Sequence, residues 1–382
     1  MLVNLVFIAC ICNLRILATV VTSDPIRACY FTNWSKYRDG QAAYVPEHYE
    51  PGLCTHILFA FVWMAEDFTL RAYDIDDEHR AGFKGAYERV IDLKSQQPNL
   101  KVLLSIGGWS FGTRLFKSMA ATAENRAKFI QSTVEFVQQR NFDGFDVDWE
   151  YPIGESRPHF TLLMKELREA FTADAEGSGK TELLLTAAVS AGRVTIDQSY
   201  DVFELSRYAT VKIGDPGTSG YARGWTLSSP DQDNGVGADA SGPSRATEYL
   251  KEAGIAAYFE ICRFQFHESA QRRWDDGRKA PYLVLGDQWF TYDDPQSIRY
   301  KTQFVRRHGF GGVMFWSLDV DDFSGTCPQS HGIRYPLLST IKEELPSDTI
   351  SSGELPRHRS VTTETVVDTE NDVSSSNVSR EL

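Results

Sequence analysis

Phe142-Asp143-Gly144-Phe145-Asp146-Val147-Asp148-Trp149-Glu150-Tyr151-Pro152 places four carboxylates within eight residues of an otherwise apolar run. Read as a strand, its two-residue period sends Asp146, Asp148 and Glu150 to one face and Phe145, Val147, Trp149 and Tyr151 to the other. Three like charges then share one face. Such crowding raises the pKa of at least one member, which is how an acid stays protonated near neutral pH and can donate a proton. Glu150 is the expected donor, because it lies nearest the C-terminal end of the strand, where parallel α/β folds build their sites. A divalent-metal site and a solvated edge are the competing readings. An exposed edge would not interleave its acids with Phe, Val, Trp and Tyr, and the eight His residues show no paired ligand spacing. Asp143 reads as structural, a cap for the turn at Gly144.

Outward from this segment, short apolar runs at residues 28–31, 55–62, 102–106, 144–150 and 183–190 read as strands. Amphipathic stripes lie between them, one through Phe129, Ile130, Thr133, Val134 and Val137, another through Phe160, Leu163, Met164, Leu167 and Phe171. Further helices are expected at residues 83–95 and 294–308. Strand and helix in alternation predict a parallel α/β sheet. A chain of 382 residues with 42% hydrophobic content suits one large domain of α/β-barrel size.

The net charge of −13 argues against nucleic acid or an anionic membrane as a partner, whereas a neutral polysaccharide raises no such objection. Residues 1–23 are mostly apolar and read as a secretory signal peptide with a Val21-Thr22-Ser23 cleavage context, although a basic start is missing. Arg15 keeps any uncharged stretch below the roughly 18 residues of a membrane span. Removal of that leader takes Cys10 and Cys12 and leaves Cys29, Cys54, Cys262 and Cys327, an even number that suits an oxidising, extracellular compartment. Spacing alone permits three pairings of four cysteines. Residues 347–382 are rich in Ser, Thr, Asp, Glu and Val and are expected to be a disordered tail. Asn377-Val378-Ser379 is a plausible glycosylation sequon, while Asn33-Trp34-Ser35 sits beside the expected site and should go unused.

Asp143-x-x-Asp146-x-Asp148-x-Glu150, followed by Tyr151-Pro152, resembles the signature of the family 18 glycoside hydrolases, which are chitinases and chitinase-like lectins. The resemblance extends over roughly residues 26–345. Lys101 to Trp109, with Ser105-Ile106-Gly107-Gly108, is similar to the family's third-strand motif, and Cys29-Tyr30-Phe31-Thr32-Asn33-Trp34 to its first strand. Gly311 to Asp319 resembles the eighth strand, whose Trp floors the sugar site. The fold so implied is a TIM (β/α)8-type barrel at residues 24–346 with an α+β insertion at about 228–292. The implied disulfides are Cys29 with Cys54 and Cys262 with Cys327.

The implied chemistry is substrate-assisted hydrolysis of β-1,4 N-acetylglucosamine linkages, one of the exceptions to the two-carboxylate rule for retaining glycosidases. Glu150 is then the acid and base, Asp148 the partner of the acetamido N–H, and Asp146 the group that tunes Asp148. Trp316 would lie under the distorted sugar, and Tyr30, Trp34, Phe61, Gly107, Trp109, Tyr151, Tyr221 and Arg223 would line the cleft. The resemblance implies chitin or chito-oligosaccharides as ligand, a monomer, and no cofactor or metal. Retention of Glu150 favours an enzyme, since chitinase-like lectins typically replace that residue.

One family motif is missing. The sixth strand should carry Met-x-Tyr-Asp, and none of Met1, Met64, Met119, Met164 or Met314 begins it. Instead Ala209 to Gly217 passes through the turn sequence Asp215-Pro216-Gly217 into Tyr221 to Leu227, which resembles the end of the seventh strand. One βα unit of about 30 residues or more is therefore expected to be absent. A barrel short of a strand closes on fewer strands or leaves an edge open. The Tyr of that motif donates to the acetamido oxygen, so the chain is expected to be weakly active or a non-hydrolytic sugar binder.

Overall fold

The computed structural model describes residues 25–209 and 218–346. The expected leader, the tail with its Asn377 sequon, and most of the junction around Asp215-Pro216-Gly217 lie outside those residues.

The first half lays down β1 (Ile26–Thr32), β2 (His56–Met64), β3 (Leu70–Ala72), β4 (Lys101–Gly107), β5 (Gly144–Asp148) and β6 (Leu184–Ala187). The helices between them are α1 (Ala86–Asp92), α2 (Arg114–Ala120), α3 (Ala123–Gln139) and α4 (Ser156–Ser178), followed by α5 (Arg193–Ser199) and α6 (Val202–Tyr208). The second half continues with β7 (Thr218–Ser219), β8 (Tyr221–Leu227), β9 (Ala240–Pro243), β10 (Ile255–Ala257), α7 (Tyr258–Phe264), β11 (Ala270–Asp275), β12 (Ala280–Leu285) and β13 (Gln288–Thr291). It closes with α8 (Pro295–Arg307), β14 (Gly312–Trp316) and α9 (Pro336–Glu344).

The parallel strands pair in the order β6-β5-β4-β2-β1-β14-β7, with β3 antiparallel on β2. This is a TIM-type α/β sheet curled into a partial barrel. Its two faces carry different side chains because residues alternate along each strand. Outward, Phe145 meets Phe129 of α3 at 6.1 Å, and Trp149 stacks on Phe116 of α2 at 5.0 Å and meets Phe160 of α4 at 5.9 Å. These contacts belong to the main core between sheet and helices. Inward, Ala28, Tyr30, Leu58 and Ala60 form a separate small core with Phe61, Met314 and Trp316. The helices start at side-chain caps that the sequence supplies: Thr122 for α3, Asp201 for α6, and Asp294 before Pro295 for α8.

Several boundaries differ from the sequence reading. β5 ends at Asp148, so Glu150 stands in the turn beyond the strand, and β6 stops at Ala187 rather than running to residue 190. On α3, Val134 packs partly buried against the main core as its stripe predicts, and Phe136 is buried beside it. Tyr221–Leu227 is not a barrel strand: it pairs antiparallel with β10, β13 and β9, and the strand beside β14 is the two-residue β7. The insertion sheet, in the order β10-β8-β13-β12-β11, therefore begins at Tyr221 and not near residue 228. Gly224 permits this, since a Cβ there would sit 2.5 Å from the Phe290 ring.

Among the described residues, no strand pairs with the outer edge of β6 or of β7. Cys29–Cys54 and Cys262–Cys327 are bonded, with Cα separations of 6.1 and 5.4 Å. No helix among the described residues is long and apolar enough to cross a membrane.

Candidate active site

The inner face of β5 carries the carboxylates outward from a fully bonded interior. The register places Asp146 between Ser105 of β4 and Thr186 of β6. Asp146 is buried; its Oδ2 accepts from the Ser105 hydroxyl at 2.6 Å and the Tyr30 hydroxyl at 2.8 Å, and its Oδ1 from Thr186 at 2.5 Å. Burial raises its pKa, and the three donors pull against that shift. Tyr30 is pushed well above the usual phenol range, first by burial and then by the charges of Asp146 and Asp148.

Asp148, two residues on, is 6% exposed and receives no side-chain hydrogen bond from the described residues. Burial raises its pKa well above the carboxylate range, and the charges of Glu150 and then Asp146 add to it. Within this close pair the three donors to Asp146 offset its burial, and Asp148 has no such offset, so burial weighs most on Asp148.

Glu150 is half-buried at the strand end. Burial raises its pKa, while the Tyr151 hydroxyl and the Arg223 guanidinium oppose the rise. The like-charge crowding inferred from spacing acts on Asp148; at Glu150 burial is the leading cause. Tyr151, placed by alternation on the face opposite Glu150, packs against the main core, while burial and then the Glu150 charge push its phenol up to about 12.

Tyr30, Trp34, Phe61 and Trp316 come together as one aromatic group. Trp316 lies 4.8 Å from Tyr30, 5.9 Å from Phe61 and 6.2 Å from Trp34, and Trp34 stacks on Phe61 at 6.0 Å. Trp109 stands apart, 77% exposed on the rim. Arg223 lies over the Tyr221 ring at 5.3 Å and places its charge toward Glu150. Gly107 and Gly108 act through close approach: a Cβ on Gly107 would fall 1.9 Å from the Asp148 carbonyl, and one on Gly108 2.5 Å from the Phe61 ring. The Gly108 N–H donates to that same carbonyl at 2.9 Å.

Asp143 is structural. It accepts from the Val102 N–H at 2.7 Å and pairs with Lys94 at 2.5 Å, tying the start of β5 to its neighbours. Asn33 is buried and donates its Nδ2 to Asp77 at 2.6 Å, so the sequon at Asn33 has no free amide in the folded chain. Ser105 and Thr186 are the donors that sequence reasoning missed. Ser105 lies inside the quoted Ser-x-Gly-Gly segment, but nothing local marks Thr186. Among the described residues no cluster of His, Cys, Asp and Glu is arranged to hold a metal.

The fold is thus a curled parallel sheet with carboxylates on its inner face and an antiparallel insertion sheet. The model for the Glycosyl hydrolases family 18 matches residues 26–212 and 217–321, and the chain belongs to that family. It is 43% identical to a probable endochitinase of Caenorhabditis elegans, an alignment covering 85% of this chain and 61% of that protein. The chain thus spans less than two thirds of that relative's length. It is 37% identical to an endochitinase of Brugia malayi, covering 84% of this chain and 73% of the relative. The alignment to the C. elegans protein runs over 378 positions while taking in 85% of a 382-residue chain, so dozens of its positions face a gap here.

Two solved structures are similar along their whole length. An immunomodulatory active chitinase from Trichuris suis superposes with a TM-score of 0.79 at 40% identity, covering 84% of this chain and 100% of that one. Human YKL-39, described as a pseudo-chitinase with retained chitooligosaccharide binding properties, gives a TM-score of 0.77 at 33% identity, covering 85% and 100%.

Proposed function

We propose that this chain is a secreted, chitin-directed glycosidase that cleaves β-1,4 N-acetylglucosamine linkages with retention of configuration. The observation that carries this reading is the gradient along β5, from the fully bonded Asp146, through the buried and unpartnered Asp148, to the half-buried Glu150. Glu150, its pKa raised by burial, gives its proton to the glycosidic oxygen as that bond to the anomeric carbon breaks. The carbonyl oxygen of the substrate's own N-acetyl group forms the new bond to the anomeric carbon, yielding an oxazolinium-type intermediate. Asp148 accepts from the acetamido N–H, the donor its free lone pairs lack, and steadies the positive charge; Asp146 tunes Asp148. Glu150, now ionised, takes a proton from the water that reopens the ring.

The aromatic group of Tyr30, Trp34, Phe61 and Trp316 supplies flat apolar surface for sugar faces, with Trp109 on the rim and Tyr221, Arg223 and Tyr151 around Glu150. The two disulfides support an oxidising, extracellular compartment.

A second reading, a non-hydrolytic chito-oligosaccharide binder, is favoured by the edges of β6 and β7, which have no strand partner among the described residues. Those edges, the gap in the alignment and the missing Met-x-Tyr-Asp all support the absence of the unit whose Tyr orients the acetamido oxygen. Loss of one such donor typically lowers rate about 100-fold or more.

Hydrolysis of a fluorogenic chitin oligosaccharide by the purified chain, beside Glu150→Gln and a thermal melt, separates the readings. Turnover that vanishes in Glu150→Gln supports the enzyme. Binding without turnover from a cooperatively melting protein selects the binder.

A further inference from the structure

Trp34 sits on a short 3-10 turn, Asn33–Tyr37, that leaves the end of β1. Trp34 is 38% exposed, and among the described residues its ring contacts are with Phe61 and Trp316, at 6.0 and 6.2 Å. Contacts of that kind do not by themselves fix the plane of an indole on a five-residue turn. Stacking on a sugar requires that the plane be fixed before the sugar arrives.

The turn is instead held by polar ties to two other loops. Asn33 donates to Asp77 Oδ2 at 2.6 Å, and Asp77 is fully buried at the end of a second 3-10 turn, Ile75–Asp77. The cap of that second turn, Asp74, takes Lys36 at 2.9 Å and the Tyr37 hydroxyl at 2.6 Å. On the far side Arg38 pairs with Asp319, buried in the loop that follows β14 and Trp316. Tyr37 is largely exposed, so its tie contributes little. The buried pairs matter more, because breaking them strands a charge or a donor away from water. Asn33 Oδ1, Asp77 Oδ1 and the Tyr87 hydroxyl are buried with no hydrogen-bond partner. The single Asn33–Asp77 bond is therefore the one direct link of these two side chains to each other, with no second contact in reserve.

We propose that Asp77, acting through Asn33, is a positioning residue that sets the plane of Trp34 as an outer sugar-stacking surface, with Arg38–Asp319 anchoring the other end of the same turn. This rests on the reading that the cleft takes chito-oligosaccharides. Trp34 is separated from Asp146 by Trp316 and Tyr30, so only a ligand long enough to pass those rings feels the change.

The test uses the full chain with indole 15N labelling, the Trp34 Nε1–H signal being assigned by its loss in Trp34→Ala. Asp77→Ala should shift or broaden that signal. Asp77→Asn, which keeps an oxygen to accept from Asn33, should restore it. In a Glu150→Gln background, calorimetry should find Asp77→Ala weakening a hexameric chito-oligosaccharide about fivefold while a dimer is unaffected, with Asp77→Asn again close to the parent. Should Asp77→Ala fail to melt cooperatively, Asn33→Ala breaks the same bond while keeping the Asp77 carboxylate and its contact with the Asp74 N–H, and the same shifts are expected. A Trp34 signal and a hexamer affinity both indifferent to loss of the bond overturn the positioning role. Absence of any chito-oligosaccharide binding by the parent chain instead overturns the functional reading, and the Trp34 signal still reports separately on the Asn33–Asp77 tie.

Discussion

The Tyr30 hydroxyl donates to the Asp146 carboxylate at 2.8 Å although β1 and β5 are not neighbours in the sheet. β2 and β4 lie between them, so this bond spans the barrel interior and ties the wall that carries the aromatic group to the wall that carries the acids. It is also where the inner core meets the carboxylates.

Tyr30→Phe removes one of three donors to a buried carboxylate and leaves the phenyl packing against Trp316. Its expected cost is about 1–3 kcal/mol, the range for an under-satisfied buried polar group. Chemical denaturation of the two proteins measures it, and a loss below a few tenths would mean that Ser105 and Thr186 suffice.

Glu150→Gln keeps the shape of the side chain and removes its proton. Hydrolysis of a fluorogenic chitin oligosaccharide should fall by about 100-fold or more, the usual weight of a positioned general acid. Calorimetric affinity for an unhydrolysed oligosaccharide should stay within a few-fold. Equal turnover by both proteins would remove Glu150 from the chemistry.

Asp77 is raised from 3.8 to about 6, first by burial, with Asn33 and Lys36 opposing the shift. A raised folded-state pKa favours the protonated form in the native protein. Its stabilising contribution is present below the unfolded value and is lost as pH climbs through about 6. Over that window stability should fall by something on the order of 2 kcal/mol relative to Asp77→Asn, which does not titrate. Denaturant midpoints at about pH 4 and about pH 7 for both proteins check it; parallel pH dependences would refute the assignment.

Gly108→Ala places a methyl where the Phe61 ring lies 2.5 Å away, at a φ of +81°. Both the overlap and the left-handed backbone act against it, for an expected loss of about 1–3 kcal/mol. Phe61 should also move out of its stack with Trp34 and Trp316. A thermal melt measures the first effect, and weakened oligosaccharide affinity the second.

Much of the site was legible locally. Asp146, Asp148 and Glu150 were placed on one face by period-two alternation, and Phe145, Val147 and Trp149 do pack outward against α2, α3 and α4. Tyr151, beyond the end of β5, still packs against the same main core. The resemblance of Tyr221–Leu227 to a seventh barrel strand did not hold, because a strand-like run cannot announce whether its partner is parallel β14 or antiparallel β13. The same limit hid Thr186: a threonine near a strand end is ordinary until the register sets it opposite Asp146.

Spacing and residue type were thus enough for a parallel α/β fold and a cluster of acids at one strand end. These follow from nearest-neighbour geometry and charge, which travel with the chain. The three donors around Asp146, the grouping of Trp34 with Trp316 and the tie from Asn33 to Asp77 came only with the folded arrangement. Each joins residues many positions apart, and burial, which sets the energies of those contacts, exists only once distant strands have closed around them.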